Sequence, residues 1–226
     1  MLRHLESVGF DGAPRVVGLD EQGREVLTFL PGEVALRPWP DCLLADSGMV
    51  ALGSFLRRYH QAVERYTPPP DTRWRVPGVN WRSNQIIRHG ELGPWNTVWK
   101  DGILVGVIDW DFAEPGYPIE DIAQLAWYAV PLRNRKKCEE AGVEFGSEQT
   151  SRLRLLCETY GVSVREVLET LSTIQSRELE RIVTLGKAGL VPWYTFLERG
   201  DGKRVKEDSD WLKGNQENLQ AQADLH

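Results

Sequence analysis

The chain has 226 residues, 41% hydrophobic and 27% charged, the composition of a globular protein long enough to bury a core without disulfides or a structural metal. A formal charge of −6 argues against an electrostatic nucleic-acid partner, and no apolar run is long enough to span a bilayer. Cys42, Cys138 and Cys157 form no CxxC pair and the N-terminus MLRHLESVGF lacks an apolar signal core, so a reduced cytoplasmic protein is expected.

In chain order, Leu2 to Val8 reads as the last turns of a helix that stops at Gly9. Arg15–Leu19 and Glu25–Phe29 read as a hairpin around Asp20-Glu21-Gln22-Gly23, and Leu30-Pro31-Gly32 breaks the pattern as a hinge. Met49, Leu52, Leu56, Tyr59, Val63 and Tyr66 share one face of an amphipathic helix, with Asp46 or Ser47 as its expected cap. The prolines at 68–70 end it. Gln85–Arg88 is a short strand, and Val98–Lys100 with Ile103–Ile108 forms a hairpin around Asp101-Gly102. Pro118 opens a helix through Val130, with Glu120 and Asp121 suited to its N-terminal dipole. Ser147 is the expected cap of a helix that stops before Gly161, and Ser163 with Glu166 forms a capping box for a third. Gly200-Asp201-Gly202 reads as a turn, and the polar tail from Lys203 to His226 as partly helical.

The chemistry concentrates between His89 and Asp121. His89-Gly90-Glu91 begins a loop, Asn96 follows Glu91 by five residues, and Asp109 ends a strand thirteen residues later. Phosphoryl transfer needs one carboxylate to orient or accept the proton of the attacking hydroxyl. It also needs an amide oxygen and a second carboxylate for Mg²⁺, a hard cation that prefers oxygen ligands. The order His89-x-Glu91-x-x-x-x-Asn96, strand, Asp109 offers those groups, and the hairpin between them turns Asp109 back toward Asn96. Asp111 is a further carboxylate beside them. Read without the motif, Asp109 and Asp111 are solvent-facing acids flanking Trp110.

The runs HGELGPWN and VIDWDFAEPGYPIEDIA resemble the aminoglycoside phosphotransferase family of small-molecule kinases. That resemblance implies an α+β, protein-kinase-like fold with a remnant N-terminal lobe over 1–32 and a mainly helical C-terminal lobe over 33–226. It implies Glu91 as catalytic base, His89 as brace of the catalytic loop, Asn96 and Asp109 as Mg²⁺ ligands, and Asp121 as support from the next helix. Thr28, Phe29 and Leu30 take the place of the backbone hinge that meets the adenine of ATP. The acceptor is a small-molecule hydroxyl, with cationic amines among the candidates, drawn by an acidic rim of Glu114, Glu120 and Asp121. No nucleic-acid or membrane partner is expected. A homodimer would cover the hairpin edge.

Two features depart from the family. Glu91 stands where the family has Asp; the ordinary acidities, about 4.3 and 3.9, are close, but the side chain is one methylene longer. A phosphate-covering loop and a strand Lys or Arg are not found before Arg15, so the chain is read as N-terminally truncated or completed by another subunit. Both departures also support an inactive, pseudokinase-like binding or scaffold protein as the alternative. The remaining residues are read as structural: tryptophans around the motif as packing, His4, His60 and His226 as surface, the cysteines as core, and Arg133 to Lys137 as a solvated helix end or loop.

Overall fold

The first helix, α1 (Leu2–Ser7), buries Leu2 and Leu5 and ends where Gly9 adopts φ +74°. Residues 1–224 are described by the structure, a computed structural model. β1 (Val16–Leu19) and β2 (Glu25–Leu27) pair antiparallel, and the Asp20 carboxylate accepts from the Gln22 and Arg24 N–H groups to close their turn. After the hinge, β3 (Glu33–Val34) joins a sheet of order β3-β5-β6, where β5 is Thr97–Lys100 and β6 is Ile103–Val107. The Asp101-Gly102 turn has positive φ at both residues, 51° and 78°, the twist that a two-residue hairpin favours. The Val107 N–H donates to the Gly12 carbonyl at 2.9 Å, and a Cβ on Gly106 would lie 2.6 Å from that oxygen. The N-terminal segment therefore reaches the sheet only because residue 106 has no side chain.

Between hinge and sheet, a short helix α2 (Asp41–Leu44) runs into α3 (Asp46–Val63). Asp46 and Ser47 lie inside α3 rather than capping it: Ala45 holds the N-cap position with no side-chain bond, because the turn from α2 already sets the entry. β4 (Ile86–Arg88) pairs with β7 (Glu114–Gly116), a strand absent from the sequence reading because Glu-Pro-Gly carries no strand signal. α4 (Pro118–Ala129) opens with Pro at its first position, as expected.

α5 (Arg135–Ala141) is capped by Asn134, whose side chain accepts from the Lys137 N–H. Arg135 to Lys137 are thus a helix start, whereas Arg133, before the cap, is not solvated but half-buried and paired with Asp208. Gly146, not Ser147, holds the N-cap position of α6 (Ser147–Tyr160), with no side-chain cap bond; α6 ends at Gly161 in the left-handed region, and α7 (Val164–Lys187) carries the Ser163–Glu166 capping box. α8 (Trp193–Glu198) was not foreseen. α9 (Asp201–Asp224) is longer than the partly helical tail expected, beginning directly after the Gly200 turn; His226 lies outside the described residues.

α7 packs on α4, α8 and α9, and α3 packs on α6. The core between them includes Leu52, Leu56, Ile122, Leu125, Trp127 and Leu171, all at most 2% exposed. Each such side chain contributes about 1.5–3 kcal/mol over its exposed state. This helical body is the rigid frame on which the loop after β4 is mounted.

Candidate active site

β4 delivers His89 into a loop that α4 holds from beneath. The Asp121 carboxylate accepts from the His89 N–H at 2.9 Å and the Gly90 N–H at 3.3 Å. Gln124, one turn on, donates from Nε2 to the Gly90 carbonyl and accepts at Oε1 from the Leu92 N–H. Four backbone groups of one loop are thereby fixed by two side chains spaced i, i+3 on a single helix face. Gly90 has φ +83°, and a Cβ there would stand 2.1 Å from the Phe112 carbonyl oxygen.

His89 is fully buried against Trp110, ring centroids 4.4 Å apart. Its Nε2 lies 3.1 Å from the Ile108 carbonyl and its Nδ1 accepts from the Glu91 N–H at 3.2 Å. The carbonyl can only accept, so the proton belongs on Nε2 and the ring is neutral. Burial pushes its pKa down to about 4, against the pull of Asp121. His89 ties the loop to the strand end that precedes Asp109, a positioning role.

Asn96 donates from Nδ2 to the Glu91 carbonyl at 2.9 Å, and its N–H and carbonyl bond Gly93 and Ile108. The amide nitrogen is thus committed, which leaves the amide oxygen as the side chain's remaining polar atom. Asp109 sits next, exposed, with φ +61°. A non-glycine residue in that region is strained and is a feature of functional sites. Among the described residues no ion pair engages Asp109, and no group of three His, Cys, Asp or Glu side chains could hold a metal. One amide oxygen and one carboxylate fit Mg²⁺ nonetheless, since that ion is usually held by one or two carboxylates with phosphates and waters.

Glu91 is half-buried, and burial followed by Asp109, Asp111 and Glu178 pushes its pKa up to about 7, with Arg75 opposing. Glu91 also lines a cavity of about 480 Å³ walled by aromatic side chains, among them Trp95, Phe112, Tyr128 and Trp193. The loop therefore presents the Glu91 carboxyl to the charges of Asp109 and Asp111 and to a cavity whose wall carries both aromatic and charged side chains.

Several expected placements change. His60 is 5% exposed and buried: Nε2 meets Asp121 at 3.2 Å and Nδ1 the Tyr160 hydroxyl at 2.6 Å. His4 is half-buried and bonds the Ala62 carbonyl. The acidic rim does not exist as a surface. Glu114 is enclosed between Arg88 and Arg181, Glu120 pairs with Arg88 and Arg177, and Asp121 faces the loop. Asp111 pairs with Arg75 at 3.2 Å, and that guanidinium lies 5.3 Å over Phe112. Arg75 gave no sequence signal, coming from an irregular stretch after the prolines. Gln124 could have been found from its spacing to Asp121.

At the hinge, Thr28 is committed to the hairpin: its N–H donates to the Arg15 carbonyl and its hydroxyl accepts from the Arg15 N–H. Phe29 is 82% exposed, and Leu30 lies against β6 beside Gly106. No hydrogen bond engages the backbone of Phe29 or Leu30 among the described residues. The backbone groups of these two, and the Thr28 carbonyl, are therefore free of hydrogen bonds among the described residues.

Residues 71–156, which span the loop, the hairpin and α4, match the model of the phosphotransferase enzyme family. Over this segment the chain is similar to that family. The trifolitoxin immunity protein of Rhizobium leguminosarum bv. trifolii is 38% identical over 171 residues, 74% of this chain and 64% of that protein. The chain thus spans a little under two thirds of that relative's length. Among solved structures, choline kinase from Cryptosporidium parvum Iowa II aligns at a TM-score of 0.54 and 13% identity over 96% of this chain and 76% of that one. The gentamicin–APH(2″)-IIa complex aligns at 0.52 and 13%, over 97% and 80%. The GDP complex of aminoglycoside 2′-phosphotransferase-IIIa aligns at 0.50 and 14%, over 96% and 79%. At these identities the likeness establishes the fold. It is protein-kinase-like and α+β, with a mainly helical C-terminal lobe and with α1 and the β1–β2 hairpin before the hinge. Among the described residues no helix is long and apolar enough to cross a membrane.

Proposed function

We propose that this phosphotransferase-family chain transfers the γ-phosphoryl group of ATP to a hydroxyl of a small molecule. The observation that carries the reading is the position of Glu91, which borders the aromatic cavity on one side and the Asp109–Asp111 acids on the other. An acceptor in the cavity brings its hydroxyl to Glu91 while the triphosphate approaches from Asp109. The hydroxyl oxygen attacks the γ-phosphorus, the bond to the β,γ-bridging oxygen breaks, and ADP leaves. The acceptor proton passes to the Glu91 carboxylate. An acidity near neutrality suits that exchange, because the base is then ionised at working pH yet still takes a proton. Asn96 and Asp109 would hold Mg²⁺, which when bound neutralises charge on the phosphate oxygens. Phe29 and Leu30 would meet the nucleobase.

The 38% identical relative named for trifolitoxin immunity supports a protective role, in which a toxic hydroxyl-bearing compound is inactivated by phosphorylation. The test is calorimetric titration of ATP with and without Mg²⁺, followed by a transfer assay. Mg²⁺-dependent binding that disappears in Asp109→Ala, with transfer lost in Glu91→Gln, is the expected result. Absence of binding at millimolar ATP would sink the kinase reading in favour of a scaffold.

A further inference from the structure

The cavity beside Glu91 does not suit a polycation. Each other carboxylate on its wall is already met by a cation: Glu178 by Arg181 at 3.3 Å, Asp208 by Arg133 at 2.8 Å, Asp201 by Arg204 at 2.9 Å, Glu207 by Lys203 at 3.9 Å. An incoming ammonium group would have to displace one of these partners. Its Coulomb gain would be offset by the one lost, so polyamine charge brings little net attraction.

The opposite is true at one corner. Arg37 and Lys137, both on the cavity wall, share a single carboxylate oxygen, Oε2 of Glu140, at 3.2 and 2.8 Å. Beside them the Arg133 guanidinium lies 4.7 Å over the Tyr128 ring, with Asp208 as its counter-ion. Three cations thus stand against two carboxylates. The crowding is visible in Arg37, whose pKa is lowered first by burial and then by the charge of Arg133. From this corner an aromatic floor, Tyr128 edge-on to Trp95 at 4.8 Å, leads within the same cavity to Glu91. Tyr128 and Glu91 line the same cavity.

We propose that the acceptor is an anionic hydroxyl compound with a flat, unsaturated body: its anionic group docks at Arg37 and Lys137, its body lies against the aromatic wall at Trp95, and its hydroxyl reaches Glu91. The identity of the Glu91 end rests on the phosphotransferase reading. The charge preference of the cavity does not, and can be measured without turnover.

The probes are two aromatic dyes of similar size and opposite charge, anilinonaphthalene sulfonate and thioflavin T, titrated by fluorescence into the full chain. The sulfonate is expected to bind one-to-one and more tightly than thioflavin T. Lys137→Gln should weaken the sulfonate roughly two- to fivefold, the scale of one partly exposed charge contact. Glu140→Gln, which releases both cations, should tighten it by a similar factor. A variant that merely loosened the fold would shift both in one direction. Preference for thioflavin T, no binding of the sulfonate, or Lys137→Gln and Glu140→Gln moving it alike would each overturn the proposal. Loss of phosphate transfer in the wild-type chain would remove the enzymatic reading and leave this result intact.

Discussion

Glu91 shows how much one carboxyl depends on its surroundings. Its longer side chain was the doubtful point of the motif, but burial and three neighbouring acids alter it more than the extra methylene does. Transfer activity should therefore climb as pH rises through about 7, where Glu91 gives up its proton, and fall below it. Arg75 pulls that pKa down, so Arg75→Ala should move the acidic limb of the kcat/KM profile to higher pH; an unmoved limb would show that Glu91 is not the titrating base. The same raised pKa has a stability sign. The folded chain holds this proton to higher pH than the unfolded one, so the contribution of Glu91 declines as pH rises from about 4.3 toward 7. Gly90 is the other decisive residue. Gly90→Ala adds a Cβ 2.1 Å from a carbonyl oxygen at φ +83°, and should cost about 2 kcal/mol or more in urea unfolding. The motif made Glu91, Asn96 and Asp109 legible. It could not show His60, which sits on a helix more than twenty residues away and reads as a surface histidine until the chain is folded.

At the scale of elements, α4 is the support of the site. Asp121 takes two loop N–H groups on its face, and α3 backs it with His60, itself held by Tyr160 of α6. Burial alone would raise the Asp121 pKa, but His60, Arg88 and His89 outweigh it and hold it below its ordinary value. Asp121→Ala strands two buried donors and should destabilise by about 3 kcal/mol, with loss of transfer even where the fold survives at low temperature. A variant as stable as the parent in calorimetric melting would contradict that. Ser163→Ala should cost about 1 kcal/mol through loss of the capping box that opens α7. Elements with a period or a cap were readable: α3, α4, α6, α7 and the β5–β6 hairpin. β3, β7, α2 and α8 were not, because two to six residues carry too short a pattern and their pairing partners are remote in sequence.

Across the whole molecule, charge is distributed inward as well as outward. Arg88 is 1% exposed and bound to Glu114 and Glu120, which Arg181 and Arg177 approach from α7. This network joins the β4–β7 pair to the helical body. Burial alone would raise the Glu114 pKa, but Arg88 and Arg181 overcome it and keep it below its ordinary value. Stability from Glu114 and Asp121 is accordingly present above the ordinary carboxylate range and is lost as pH falls through their lowered values. Glu114→Gln leaves Arg88 uncompensated in the interior and should cost about 3–5 kcal/mol, read as a lower urea midpoint. Little change would mean that Glu120 alone suffices. The sequence by itself determined the order of the candidate site residues, the main helices and the hairpin that returns Asp109 toward Asn96, because those follow from residue type at short spacing. Only the tertiary structure decided which carboxylates face solvent. Glu114, Glu120 and Asp121 are drawn inward by Arg88, Arg177, Arg181 and His60. The wall of the cavity is built from segments more than a hundred residues apart, and no local pattern encodes the charge that results when such segments meet.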